Sequence, residues 1–353
     1  MGKKKDDAPK KVLGLEFAPV HLPWERRMQT FSVMIWFTLF FVIPLSSYPT
    51  TIYLMFFSSY QKAALSILLP YLFWIWVVDR ESCNKGARRI KWVRRWSIWK
   101  HYNDYFPIKL VKTADLDPKK NYLFGSHPHG VLCSGAFGCF ATDAMEVNKL
   151  FPGFDFSVLT LEMNYRFPIL RDLILSLGVC AATRKGMNYL LSYKGGGKAA
   201  VLIPGGAPES LDSHPGSYVV QLKKRKGFIK VALQNGAPLV PCFSFGETDI
   251  FDQPANPKGS LLRTFQDRFQ QVLQLAPVPF SGRGIFQYSF GVLPNRRPIT
   301  VVVGAPIEFE ITPQPTQKEI DDLHQKYVDA VVELFYTHRE KYALDPTHVI
   351  SIV

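Results

Sequence analysis

The sequence predicts an α/β domain built on a largely parallel sheet, with a helical membrane hairpin ahead of it. Three observations carry that reading. Residues 28–78 contain one formally charged side chain, Lys62. Both flanks of that run are strongly basic. Beyond residue 100, short β-branched or aromatic runs alternate with helix-length segments, the pattern of βαβ units.

In chain order, residues 1–27 form a basic segment carrying Lys3, Lys4, Lys5, Lys10, Lys11, Arg26 and Arg27. The apolar run 28–78 is too long for a signal peptide and shows no small-residue cleavage site. One span needs about 20 residues. The run therefore holds two, broken at Pro44–Pro49 or at Ser58–Lys62. Arg80, Lys85, Arg88, Arg89, Lys91, Arg94, Arg95 and Lys100 follow it. Cations on both sides place both flanks in the cytosol, which two spans satisfy and one cannot. In residues 79–104, the stretch GARRIKWVRRWSIWK (86–100) repeats Trp92, Trp96 and Trp99 at helical spacing among cations. That predicts a helix at the lipid–water interface. The plainer alternative is a basic helix on the globular domain.

Residues 105–353 form the cytosolic domain. Strands are expected at 121–127, 156–163, 179–184, 199–206, 238–247 and 298–309. Helices are expected at 131–147, 167–178 with Gly178 as stop, 187–197, 226–236 and 319–342. Residues 250–298, rich in Gly, Pro and Phe, give no clear element.

Apolar residues make up 47% of the chain and aromatics 14%, enough for a large core with apolar surface left for lipid. A net charge of +13 points to anionic partners: nucleic acid, a membrane surface or a phosphorylated substrate. No nucleic-acid-binding signature occurs, so no nucleic acid is expected. Five cysteines, an odd count without CxxC, read as reduced core thiols facing the cytosol.

The chemistry concentrates in FGSHPHGVLCSGAFG (124–138). His127 and His129 stand at the end of a strand, and in extended backbone they would project from one face. Three readings compete. A metal pair needs further ligands, and no nearby constellation completes one, so no metal is expected. Structural histidines at a helix start are the second. The third is a general base for a hydroxyl, which suits imidazole because its reference pKa lies near neutrality. The best acid partner is Glu209 in IPGGAPESL (203–211). There Gly205 and Gly206 let backbone N–H groups approach a ligand, though a plain turn has the same composition. Lys223, Lys224, Arg225 and Lys226 precede an apolar helix. Cations there suit a phosphate-bearing ligand, such as a nucleotide-bearing thioester carrier; the alternative is a solvated charged face.

HPHG (127–130), PGGAPESL (204–211) and KRKGF (224–228), in that order, resemble the signature of the monoacylglycerol/diacylglycerol acyltransferase family. Further stretches extend the resemblance over nearly the whole chain: FAPVHLPWERRMQT (17–30), YFPIKLVKT (105–113), PILRDLILSLG (168–178), GAPLVPCFSFGE (236–247), GRGIFQYSFGVLP (282–294) and RRPITVVVGAPIE (296–308). PWERR and FQYSFG most resemble the monoacylglycerol branch. The resemblance implies a glycerophosphate-acyltransferase-like fold, acyl-CoA as co-substrate without a cofactor, and an acylglycerol acceptor. It also implies an endoplasmic-reticulum membrane enzyme with cytosolic termini, with lipid droplets as a second location. A homo-oligomer is compatible with it. Glycerophosphate acyltransferases pair His with Asp five residues on; here Leu132 and Ser134 occupy those positions. The acid must come from elsewhere, and Glu209 is the expected partner.

The expected chemistry is direct transfer. His129 is preferred over His127 as base because it abuts the helix start, and Glu209 orients the ring. Amides near Gly130, Gly205 and Gly206 hold the oxyanion. Lys223, Lys224, Arg225, Lys226 and Arg184 bind the CoA phosphates. Monoacylglycerol is the expected acceptor; diacylglycerol and a wax alcohol are the alternatives. A serine lipase is disfavoured because no GxSxG elbow occurs. A lipid-binding hairpin protein without activity would leave HPHG and PGGAPES without purpose.

Overall fold

The computed structural model describes residues 10–19, 21–273 and 276–353. Lys3, Lys4 and Lys5 of the expected basic segment lie outside them. A helix runs over Trp24–Phe56, 33 residues, and a second over Gln61–Asn84, 24 residues, each long and apolar enough to cross a membrane. They turn at Phe57–Tyr60, which decides between the two expected breaks. Pro44 and Pro49 stay inside the first helix. The wide π-helical turn at Thr38–Val42 sits just ahead of Pro44 and accommodates the N–H that proline lacks.

The expected interfacial helix is instead two short ones, Lys91–Arg94 and Ser97–Tyr105. Trp92 is exposed, but Trp99 is buried and its indole donates to the Val93 carbonyl at 2.7 Å. Arg94 is also buried. It pairs with Asp143 at 2.8 Å and donates to the Ala141, Phe140 and Leu177 carbonyls. These residues anchor the domain core, with Arg94 held there by charge-assisted bonds to four acceptors.

Two strands, β1 (Lys10–Val12) and β2 (Leu15–Phe17), form an antiparallel ribbon. The central sheet holds β3 (Lys109–Lys112), β4 (Tyr122–His127), β5 (Asp155–Thr160), β6 (Cys180–Ala181), β7 (Lys198–Leu202), β9 (Leu239–Phe245) and β10 (Thr300–Val303). A separate parallel pair joins β8 (Tyr218–Val220) to β11 (Ile350–Ile352). The seven-stranded order is β3-β10-β9-β4-β7-β5-β6. Every pairing is parallel except β9 with β10.

Alternation along β4 explains the layering. Phe124 enters the core facing the base of the hairpin, and Leu123 enters the core beneath the helices Gly227–Asn235 and Gln317–Tyr342. Both faces are apolar, so β4 is buried throughout. The helix expected over 131–147 covers only Ser134–Ala141. The turn that begins at His127 continues to Cys133, whose φ is +54°, and helix cannot start before it ends. The helix Leu261–Leu273 occupies part of the unassigned region.

Candidate active site

Parallel strands deliver their following loops to one edge of a sheet, where α/β proteins bind ligands. HPHG follows β4, PGGAPES follows β7, and Gly246–Glu247 follows β9. Since β4 is flanked by β9 and β7, these three loops meet at that edge.

The two histidines do not share an environment. His127, the last residue of β4, is fully buried. Tyr327, on the long C-terminal helix, gives its hydroxyl hydrogen to the Gly125 carbonyl at 3.1 Å, so its oxygen accepts from His127 Nε2 at 3.0 Å. Among the described residues, Nδ1 of His127 has no partner. Burial without a counter-charge pushes its pKa down to about 3. The expectation that both rings project from one face therefore fails: His127 meets Tyr327, His129 meets Ser210, and the positive φ of Gly130 ends the extended backbone.

His129 is half-buried. Its Nδ1 lies 3.0 Å from the Gly130 carbonyl and 3.0 Å from Ser210 Oγ. A carbonyl only accepts, so Nδ1 carries the hydrogen and Nε2 keeps a lone pair. Burial lowers the pKa of this ring, and the bond to Gly130 opposes that shift. The result is a neutral imidazole of fixed tautomer.

Glu209 reaches the turn, but through its backbone. One oxygen accepts from the His129 N–H at 2.5 Å and the other from the Gln221 N–H at 2.8 Å. The expectation that Glu209 orients an imidazole is corrected here: its carboxylate holds the peptide that carries the ring. Gly205 packs against it so closely that a Cβ there would collide with the Glu209 carboxylate. Gly206 adopts φ +60° and is half-buried, and its carbonyl accepts from the Glu209 N–H at 3.0 Å.

Sequence reasoning missed Glu247. Its carboxylate accepts from the Ser134 N–H at 2.6 Å and the Gly135 N–H at 2.7 Å, at the start of the helix after HPHG. A Cβ on Gly130 would lie 2.7 Å from Glu247 Cγ, so glycine is required there by contact as well as by its φ of +62°. Burial lifts both acids to about 7 against the pull of their amide donors. The GE of GAPLVPCFSFGE, an acid directly after a buried strand, was the available signal.

The basic cluster divides. Lys223, Lys224 and Arg225 are exposed. Arg225 lies 3.4 Å from the Gly205 carbonyl, which places the cluster beside the PGG loop. Lys226 is engaged by Asp321 at 2.8 Å. Arg184 begins the helix Arg184–Leu191 after β6. That strand is three spacings from β4, about 14 Å along the same edge. Among the described residues no group of three His, Cys, Asp or Glu side chains converges as a metal site would need.

The sequence pattern of the diacylglycerol acyltransferase family matches residues 55–353, a span that contains every loop just described. The chain belongs to the diacylglycerol acyltransferase family. Relatives support the assignment over its length. Similarity to 2-acylglycerol O-acyltransferase 1 of Bos taurus is 43% identity over 94% of this chain and 97% of that one. Similarity to the Homo sapiens protein of the same name is 41% over 95% and 98%. Diacylglycerol O-acyltransferase 2 of Bos taurus is 42% identical over 93% of this chain and 90% of that one. The 1-acyl-sn-glycerophosphate acyltransferase crystal structure from Thermotoga maritima overlaps at a TM-score of 0.38 and 11% identity, covering 88% of this chain and 93% of that one. This family member is thus an acylglycerol O-acyltransferase.

The packing of Gly205 in the family member makes a direct prediction. Gly205→Ala drives a methyl into the Glu209 carboxylate. The expected outcome is a loss of about 1–3 kcal/mol of stability together with most of the activity. A melting curve and a rate measured on the same purified sample check it; a variant with the parental melting temperature would contradict the contact.

Proposed function

We propose that this chain moves an acyl group from acyl-CoA to the hydroxyl of a monoacylglycerol, giving diacylglycerol, with His129 as general base. The observation that carries the reading is the His129 ring: half-buried at the sheet edge, with Nδ1 3.0 Å from the Gly130 carbonyl, an arrangement that leaves Nε2 as the basic nitrogen. Nε2 takes the acceptor's hydroxyl proton as its oxygen bonds to the thioester carbon. The oxyanion that forms meets amide N–H groups of the glycine turns, Gly206 and Gly130. The C–S bond then breaks, and the leaving thiolate recovers the proton from the imidazolium. Glu209 is a positioning residue for the His129 backbone, and Glu247 for the helix behind it.

Lys223, Lys224 and Arg225 hold the CoA phosphates in this reading, with Arg184 further along the edge and Lys226 bracing the cluster through Asp321. The helices Trp24–Phe56 and Gln61–Asn84 are read as a hairpin in the endoplasmic-reticulum membrane, with both ends and the domain 105–353 in the cytosol and lipid droplets as a second site. Diacylglycerol as acceptor is the second reading, because relatives named for each activity are nearly equally similar.

Purified enzyme in lipid nanodiscs, given labelled acyl-CoA and each acceptor separately, tests this. Labelled diacylglycerol from monoacylglycerol is the expected main product. Faster triacylglycerol formation from diacylglycerol would reverse the acceptor order, and no labelled ester from any acylglycerol would overturn the proposal.

A further inference from the structure

The helix Leu261–Leu273 buries polar side chains and leaves large apolar ones exposed. Its fully buried side chains are polar, Arg263 and Gln266, while Leu262 and Phe269 are half-buried. Its outward face carries three large apolar side chains, Leu261 at 92% exposure, Phe265 at 59% and Val272 at 78%, flanked by exposed Thr264, Arg268 and Gln271. A water-facing helix has the opposite arrangement, and an apolar stripe of this kind marks a surface that water does not normally cover.

The inward residues are fully engaged. Arg263 pairs with Asp212 at 2.6 Å, and Asn256 bridges the Leu211 carbonyl at 2.9 Å to Gln266 at 3.0 Å. The helix therefore cannot rotate its apolar face inward without breaking these bonds. The same bonds tie it to the loop that begins at Glu209 and touches His129.

We propose that this helix lies in the plane of the cytosolic leaflet entered by the hairpin, with Leu261, Phe265 and Val272 in lipid. The proposal rests on reading residues 24–84 as membrane-embedded. Continuity with that hairpin argues for lipid as the occupant. Phe280 packs on Phe37 and Phe41 of the first long helix, at ring separations of 6.1 and 5.0 Å. The seven residues from Leu273 to Phe280 reach at most about 24 Å, so the helix end stays near the hairpin. A loop exposing Phe286 and Phe290 adds to the apolar rim beside it: Ala18, ahead of the first long helix, donates to the Phe286 carbonyl at 2.9 Å. Arg268 suits this setting, because a long cationic side chain reaches headgroup phosphates from an embedded stripe. Docking would set the loop carrying Glu209 and Ser210 at the surface from which an acylglycerol arrives.

Nitroxide labels on single cysteine variants test the placement without requiring activity. Phe265→Cys, Leu69→Cys within the second long helix and Glu340→Cys on the C-terminal helix are compared in phosphatidylcholine nanodiscs. Position 265 is expected to collide with dissolved oxygen several-fold more than with a water-soluble nickel chelate, as position 69 does, and position 340 is expected to do the reverse. A water-like signal at 265 with a lipid-like signal at 69 overturns this proposal alone. A water-like signal at both overturns the hairpin reading too. Protection at 265 accompanied by spin–spin broadening between copies shows a second chain on the stripe and also overturns it. As a second measurement, Leu261→Ser, Phe265→Ser and Val272→Ser combined are expected to raise the KM for acylglycerol presented in bilayers several-fold while leaving the KM for acyl-CoA unchanged; unchanged values for both overturn the role in substrate access.

Discussion

Alanine at His129 is expected to lower kcat by about 10²–10⁴-fold, the range a positioned general base supplies, with the fold retained. The ring is half-buried and its side-chain bonds go to one carbonyl and one hydroxyl, so its removal strands little. A neutral imidazole is required for proton removal. Because burial holds the His129 pKa below 6.5, kcat/KM is expected to fall as pH drops through a value below 6.5, and this acid limb should vanish in the variant. His127→Ala is expected to fail differently. It empties a fully buried site and leaves the Tyr327 hydroxyl without its donor, a loss of about 3 kcal/mol of stability. The His127 pKa is about 3 when folded and near 6.5 when unfolded, so its stabilising contribution is complete above 6.5 and is lost as pH falls from there toward 3. Paired melting curves and rates across pH separate the two. Equal activity of His129→Ala and the parent would remove His129 from the chemistry.

The difference between these residues was not legible in the sequence. Spacing alone puts residues two apart on one face, but that rule requires continuous extended backbone. The turn at Pro128–Gly130 sends His127 toward the C-terminal helix and His129 toward Ser210. What could be read was whatever repeats locally: strands at 122–127, 198–202 and 239–245 with helices between them, hence a parallel sheet with its loops gathered at one edge. The PGG turn and its acid were legible for the same reason. Glu247 was not, because it acts through amides at Ser134 and Gly135, more than a hundred residues away, and leaves no periodic trace. The strands at 218–220 and 350–352 are likewise short and distant in sequence, and each forms only because the other is present. Trp99 and Arg94 were misplaced because a cation-rich tryptophan run has the composition of an interfacial helix whether or not a core is there to receive it. The helix 261–273 escaped notice for the inverse reason: two of its polar residues, Arg263 and Gln266, are the ones that face the protein.

Glu209→Gln is expected to cost about 1–3 kcal/mol of stability, the penalty of a buried donor left unpaired, and to lower kcat about 100-fold while changing the KM for acyl-CoA little. Both carboxylate oxygens are occupied, by the amides of His129 and Gln221. Glutamine offers one accepting oxygen and turns its NH₂ toward a second N–H, so one amide loses its partner. Part of that cost is recovered, because burial has already raised the acid to about 7 and the neutral side chain carries no charge to desolvate. The effect on rate does not share this relief. The His129 amide fixes the peptide from which the base projects, and a displacement near 1 Å in a reacting group costs about 10²-fold. Kinetics and thermal melts on the same detergent-purified protein distinguish the outcomes. A raised KM for acyl-CoA at unchanged kcat would make Glu209 part of the binding surface, because only a residue that meets substrate loses affinity without slowing the step that follows.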